Sequence, residues 1–130
     1  MKKQLKSVEK FHRTFGLGVS NQIKSNLEPG KKELRFKLME EENLEYLKAC
    51  QDNDPIEIAD ALGDMLYILC GTILEHGLQN KIEAIFDEIQ NSNMSKLSED
   101  GKPIYREDGK VLKGPNYFSP NIKAILEEKT

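Results

Sequence analysis

Asp54-Pro55-Ile56-Glu57-Ile58-Ala59-Asp60-Ala61-Leu62-Gly63-Asp64-Met65-Leu66-Tyr67-Ile68-Leu69-Cys70-Gly71-Thr72-Ile73-Leu74 decides the fold class. Asp54 supplies an N-cap, Pro55 fits the first helical position, and Glu57 places an acid in the first turn, so a helix starts here. It is expected to run to His76, where Gly77 closes it. From Ala61 to Leu74 most residues are apolar, which predicts a helix surrounded by protein. Asp60, Asp64, Tyr67 and Gly71 share one face of it. A buried carboxylate without a partner costs several kcal/mol, so Asp64 is expected to be neutralised. Gly63 and Gly71, unfavourable in a helix interior, point to close helix packing or a close ligand.

The preceding helix, expected from about Lys32 to Cys50, carries the complement. Leu38, Glu42, Glu45 and Ala49 lie on one face, so two carboxylates interrupt an otherwise apolar stripe. Glu42 and Glu45 are spaced i, i+3, and Asp60 and Asp64 i, i+4. The segment between Glu45 and Asp60 allows an antiparallel helical hairpin, across which four acids converge. Hard oxygen donors in that number suit Mg²⁺, with Mn²⁺ as a substitute. Glu40 to Glu42 read alone would be a solvated charge run. Glu57 lies near Asp60 on the same face and reads equally as a cap or a ligand.

Elsewhere, Val8, Phe11, His12 and Phe15 predict a first helix ending near Gly16, followed by a polar loop to Gly30. Asn80 with Glu83 suggests a capped fourth helix through Ile82, Ile85, Phe86 and Ile89, ending near Asn91. A loop region follows, with a small hairpin pairing Ile104-Tyr105 with Val111-Leu112 across Asp108-Gly109. Ser119-Pro120 can open a short last helix. The expected fold is all-α, with four to five helices in a bundle and a loop or small hairpin near the C-terminus. No internal repeat stands out, and the 130 residues are read as a single domain, 1–130.

A net charge of −3 with 32% charged residues argues against sequence-independent binding to nucleic acid. The N-terminal Met1-Lys2-Lys3-Gln4-Leu5-Lys6 has no apolar core, so no signal peptide is expected and the location is read as cytoplasmic. The longest apolar run, Ala61 to Leu74, contains Asp64 and is shorter than the roughly 20 residues a bilayer span needs, so no membrane segment is expected either. Cys50 and Cys70 lack metal-type spacing and read as packed thiols. His12 and His76 read as helix-terminus or surface residues.

The pattern Arg35-x-x-Leu38-x-x-Glu41-Glu42-x-x-Glu45, followed by Glu57-x-x-Asp60-Ala61-Leu62-Gly63-Asp64-Met65-Leu66-Tyr67 and Gly71, resembles the all-α nucleoside triphosphate pyrophosphohydrolases. This MazG-like group also contains phosphoribosyl-ATP pyrophosphohydrolases and dimeric dUTPases. The likeness continues through Ser92-Asn93-Met94-Ser95-Lys96 and Asp108 to Pro115, covering about residues 8 to 121. Glu42 and Glu45 fit the first half of the family's Glu-x-x-Glu signature. In the second half, Glu57 and Asp60 match by spacing, while Asp64 matches the usual place of the aspartate.

The resemblance implies Mg²⁺-dependent hydrolysis of a nucleoside triphosphate, a dNTP or a non-standard NTP, to monophosphate and pyrophosphate. Metal would be held by Glu42, Glu45, Asp60, Asp64 and Glu57, with Glu41 or Glu42 as the catalytic carboxylate that orients or deprotonates water. The basic residues Lys96, Lys110 and Lys113 are candidate phosphate contacts. Asn93 is a candidate for a base contact or a helix cap, and Tyr67 for a phosphate or carboxylate contact or simple packing. A homodimer or homotetramer is expected, because an open four-helix arrangement leaves apolar surface uncovered. The alternatives are phosphoribosyl-ATP hydrolysis, which the segment from Asn93 to Pro120 disfavours, and a non-catalytic helical interaction module.

Overall fold

A computed structural model describes residues 1–128. The chain is all-α: α1 (Lys2–Thr14), α2 (Lys31–Gln51), α3 (Pro55–Glu75), α4 (Ile82–Met94) and α5 (Ile122–Glu127). The Tyr105–Val111 antiparallel bridge marks the hairpin expected near the C-terminus, and Leu112 N–H donates to Ile104 O at 2.8 Å. Packing divides the chain into two compact units, Met1–Asn80 and Lys81–Thr130.

In the first unit α1 and α2 both pack on α3. The start of α3 is built as its sequence requires. Asp54 Oδ1 accepts from the N–H groups of Ile56 (3.1 Å) and Glu57 (3.2 Å), and Pro55 opens the helix. The Asp54 N–H is committed to Ala49 O at 3.0 Å, so Glu57 has no reciprocal capping bond to make there. Leu5, Val8, Ala49, Ala61, Cys70, Ile73 and Leu74 form the buried apolar core.

That core is smaller than the apolar composition of α3 suggests, and the expectation of a fully enclosed α3 is corrected. Ile56, Leu62, Leu66, Tyr67 and Leu69 are exposed in the single chain, as is Asp64, because only the α3 faces turned to α1 and α2 are covered. Gly71 is a point of close approach: a Cβ there would lie 2.6 Å from Arg35 Nη2 and from His12 Nε2. Gly63 is not, since nothing stands within 4 Å of its would-be Cβ.

The second unit packs α4 with α5. Helix α4 runs three residues past its expected end, to Met94, and its N-cap is Lys81 rather than Asn80. The Lys81 ammonium donates to Glu128 O at 2.6 Å. Helix α5 begins after Asn121, whose Oδ1 accepts from Ala124 N–H, not at Ser119-Pro120.

The reading that no repeat is present is also corrected. Glu99-Asp100-Gly101-Lys102 and Glu107-Asp108-Gly109-Lys110 are the same tetrapeptide, and they fold into the same turn. In the first, Ser98 N–H donates to Lys102 O (2.8 Å), Gly101 N–H to Ser98 O (2.9 Å) and Lys102 N–H to Asp100 Oδ1 (3.2 Å). In the second, Arg106, Gly109 and Lys110 make the corresponding bonds at 2.7, 2.9 and 3.2 Å. Each turn needs a residue at positive φ, which the glycine supplies: 77° at Gly101 and 89° at Gly109. The repeat is too short to register as periodic hydrophobicity, which is why patterning passes over it.

Candidate active site

The acid face of the α2–α3 pair is centred on Glu42. This residue is half-buried, and its Oε2 is buried without a hydrogen-bond partner. Burial pushes its pKa up to about 7, reinforced by a hydrogen bond to Glu45 and by the negative charges of Glu45, Asp64 and Asp60. One carboxylate on α2 therefore feels two acids of α3, which brings together the four residues expected to converge. Glu41 lies beside Glu42 and is exposed. Glu57, also exposed, stands about one turn before Asp60, towards the start of α3.

The four carboxylates are hard oxygen donors of the kind a divalent cation takes, and Glu42 Oε2, like Glu75 Oε2 and Gln79 Oε1 elsewhere, is buried without a hydrogen-bond partner. Among the described residues, no group of three or more His, Cys, Asp or Glu side chains stands in a geometry that could hold a metal ion. Glu45, Asp60 and Asp64 are exposed, so turning them towards a cation costs only side-chain rotamer freedom.

Tyr67 packs through its ring, edge-on to Phe11 with centroids 5.6 Å apart. In the second unit, Asn93 and Lys96 line a common cavity with Met94, Leu97, Pro103 and Val111. Lys113 instead places its ammonium 4.7 Å from the centre of the Tyr117 ring. Lys110 is exposed in the second turn, where its backbone N–H binds Asp108. The Tyr117 hydroxyl is held below its ordinary pKa by hydrogen bonds to Ser119 and Ser92 and by the charges of Lys113 and Lys96. Two of the three candidate lysines thus converge on Tyr117, which sequence reasoning did not single out.

A second feature missed from sequence is a buried polar cluster in the first unit. Glu75 is 4% and Arg35 8% exposed. Lys31 Nζ lies 3.3 Å from Glu75 Oε1, and Arg35 Nε lies 3.7 Å from Glu75 Oε2. Arg35 also donates to Thr72 Oγ1 (3.0 Å) and Ile68 O (2.8 Å), tying α2 to α3. The surface reading of His12 is corrected: it is 2% exposed, and its Nδ1 lies 2.8 Å from Gly18 O. A carbonyl only accepts, so Nδ1 carries the proton. His76 binds Lys24 O in the same way at 2.8 Å, so both imidazoles anchor the loop between α1 and α2. The available signal for Arg35 was its place seven residues before Glu42, on the same helical face.

Acids of two facing helices thus meet around Glu42. Residues 8–93, or 86 of 130, match the phosphoribosyl-ATP pyrophosphohydrolase family. The chain belongs to that family, and the protein is a pyrophosphohydrolase. The interaction-module alternative falls away. The chain is also similar to a crystal structure from Exiguobacterium sp. 255-15 of a protein proposed to be an NTP pyrophosphohydrolase. The two share 26% identity over 92% of this chain and 90% of that one, with a TM-score of 0.48. No curated protein matches the chain. Among the described residues, no helix is long and apolar enough to cross a membrane.

Proposed function

We propose that the protein hydrolyses a nucleoside triphosphate to the monophosphate and pyrophosphate with Mg²⁺, with Mn²⁺ as a substitute. The observation that carries this reading is the electrostatic convergence of Glu45, Asp60 and Asp64 on Glu42. A triphosphate carries about four negative charges, and an acid face accepts it only when divalent cations bridge the two. Glu42, Glu45, Asp60 and Asp64 would hold the cation, with Glu57 within one turn as a further ligand. When bound, it supplies charge neutralisation of the phosphate oxygens.

Glu41, exposed beside the ligand set, orients the attacking water and takes its proton, with Glu42 the other candidate. The water oxygen bonds to the α-phosphorus, the bond from that phosphorus to the bridging oxygen breaks, and pyrophosphate leaves in line. The exposed apolar residues of α3, together with Leu44 and Leu47 of α2, support a homodimer or homotetramer. Cytoplasmic location remains part of this reading.

Phosphoribosyl-ATP is the second substrate reading, and the family match favours it. That match stops at residue 93, however, and leaves both turns, the hairpin and α5 outside it. A panel of ribo- and deoxynucleoside triphosphates and phosphoribosyl-ATP, assayed for pyrophosphate with Mg²⁺ and with chelator, tests both readings. Oxygen-18 water should label the monophosphate; label in pyrophosphate would mean attack at the β-phosphorus and refute the mechanism.

A further inference from the structure

Helix α1 carries a concentration of charge that the balance of the whole chain hides. It holds five cations, Lys2, Lys3, Lys6, Lys10 and Arg13, against the single acid Glu9. With His12 neutral it therefore contributes +4 to a chain whose total is −3, and the remainder carries −7. At about 100° per residue the five cations fall in a stripe about 100° wide, turned away from Leu5, Val8 and His12, the buried residues of the helix. All five are exposed. Lys2, Lys6, Lys10 and Arg13 stand about one turn apart, a ladder about 16 Å long. Arg13 Nε pairs with Glu9 at 3.0 Å, whereas the four lysines have no ion-pair partner among the described residues. Along one flank of the stripe, about a quarter turn round the helix from Lys10, lie the exposed rings of Phe11 and Phe15, with centroids 4.5 Å apart. Phe15 is 66% exposed, and Phe11 is braced edge-on by Tyr67.

We propose that the outer face of α1 binds single-stranded nucleic acid without sequence preference, the lysine ladder holding phosphates while Phe11 and Phe15 stack bases. The ladder is too long for one nucleotide and fits a polymer that repeats a negative charge at short intervals. The occupant must also bend. Stripe and rings face directions about a quarter turn apart, so a flexible strand wraps onto both, while a flat anionic bilayer meets one at a time. The total charge of −3 does not prevent this, because at physiological salt exposed charges more than about 8 Å apart are largely screened and a strand on the stripe responds to its nearest neighbours. The stripe shares no residue with the acid face, so the proposal stands apart from the hydrolytic reading.

Fluorescence anisotropy of a labelled oligothymidylate with the full chain tests this, in chelator so that no cation bridges phosphates to the acid face. Affinity should fall roughly fiftyfold between about 50 and 200 mM salt, the slope for four phosphate contacts on a single strand. Lys6→Ala/Lys10→Ala, at two exposed positions, should halve that slope on logarithmic axes and leave the unfolding midpoint unchanged. Phe15→Ala should weaken the oligothymidylate about tenfold and leave an abasic oligonucleotide of the same length unaffected, since only bases stack. No binding at low salt, or a slope that the double variant does not change, would overturn the proposal. Equal losses on both oligonucleotides in Phe15→Ala would remove the rings from the site. Sedimentation with phosphatidylserine vesicles at a salt concentration where the oligothymidylate stays free would make the partner a membrane surface and refute the assignment.

Discussion

The two ends of the α2–α3 pair treat negative charge in opposite ways. Towards the start of α2 and the end of α3, Glu75 is buried but flanked by Lys31 and Arg35, and the protein itself provides the neutralising charge. Asp64 lies eleven residues earlier on α3, about 16 Å along the axis. Here burial first, and then the negative charges of Glu45, Asp64 and Asp60, push the Glu42 carboxyl up to about 7, above the usual carboxylate range. A carboxylate matched inside the chain is a structural element. One that is half-buried among three further acids, with no cation among the described residues paired with it, raises the free energy of the fold, and such a cost is explained most directly by something bound from outside.

The largest effect expected from breaking this contrast is at the compensated end. Arg35→Met removes the guanidinium that faces Glu75 and its bonds to Thr72 and Ile68 O, leaving a buried acid with Lys31 alone. A loss of about 3–5 kcal/mol is expected in denaturant unfolding, the range for breaking a buried pair from one side. The double variant Arg35→Met/Glu75→Gln should lose less than the sum of the two single changes. Below its melting temperature the Arg35→Met protein should still release pyrophosphate. A stable but inactive variant would erase the distinction between the ends.

At the uncompensated end the effect belongs to rate rather than folding. Glu42→Gln and Glu45→Gln should each lower kcat by about a hundredfold or more, equivalent to about 2.7 kcal/mol of barrier, with unfolding midpoints no lower than wild type. Midpoints that fall while the activity of the folded fraction stays normal would make these acids structural.

Much of this contrast was legible in sequence. The i, i+3 and i, i+4 spacings put Glu42 with Glu45 and Asp60 with Asp64, and the cap at Asp54 fixed where α3 starts and so which of its residues share a face. The order of the helices among the described residues and the hairpin across Asp108-Gly109 follow from period and turn residues, whereas of the expected N-caps only Asp54, on α3, matches. The compensated end was not legible, because Glu75 meets Lys31 and Arg35 across some forty residues of chain, and local periodicity carries no pairing information. For the same reason His12 looked superficial: its burial depends on Gly71, on another helix, leaving room for it. The apolar run of α3 was over-read, since hydrophobicity states that a face wants covering and not that this single chain covers it.

The pH dependence of stability sharpens the comparison further. Glu42 keeps its proton up to about pH 7 in the folded protein, whereas the unfolded chain releases it near 4.5. Between those values the folded state binds more protons, so in chelator this group's contribution to stability falls as pH rises through the window and is flat above it. Denaturant unfolding at pH 5, 6, 7 and 8 should show that fall in wild type, and Glu42→Gln should lack it. An identical profile in the two proteins would mean that neither burial nor its acidic neighbours raise the Glu42 pKa.

The smallest effect is at Asp64. Its side chain is exposed, so its repulsion of Glu42 is screened by water, and Asp64→Asn should gain no more than about 0.5 kcal/mol of stability in chelator, the scale of surface charge pairs. The sign is what matters. Removing one of several like charges relieves the apo protein, while removing one ligand weakens the site, so Mg²⁺ should raise the melting temperature of wild type by more than that of the variant. Melts of both proteins in chelator and in millimolar Mg²⁺ decide between two arrangements. A variant that is less stable in chelator, with an Mg²⁺ shift equal to that of wild type, would give Asp64 a protein partner and move the cation towards Glu57 and Asp60. A variant that is slightly more stable in chelator and overtaken by wild type in Mg²⁺ places Asp64 among the ligands.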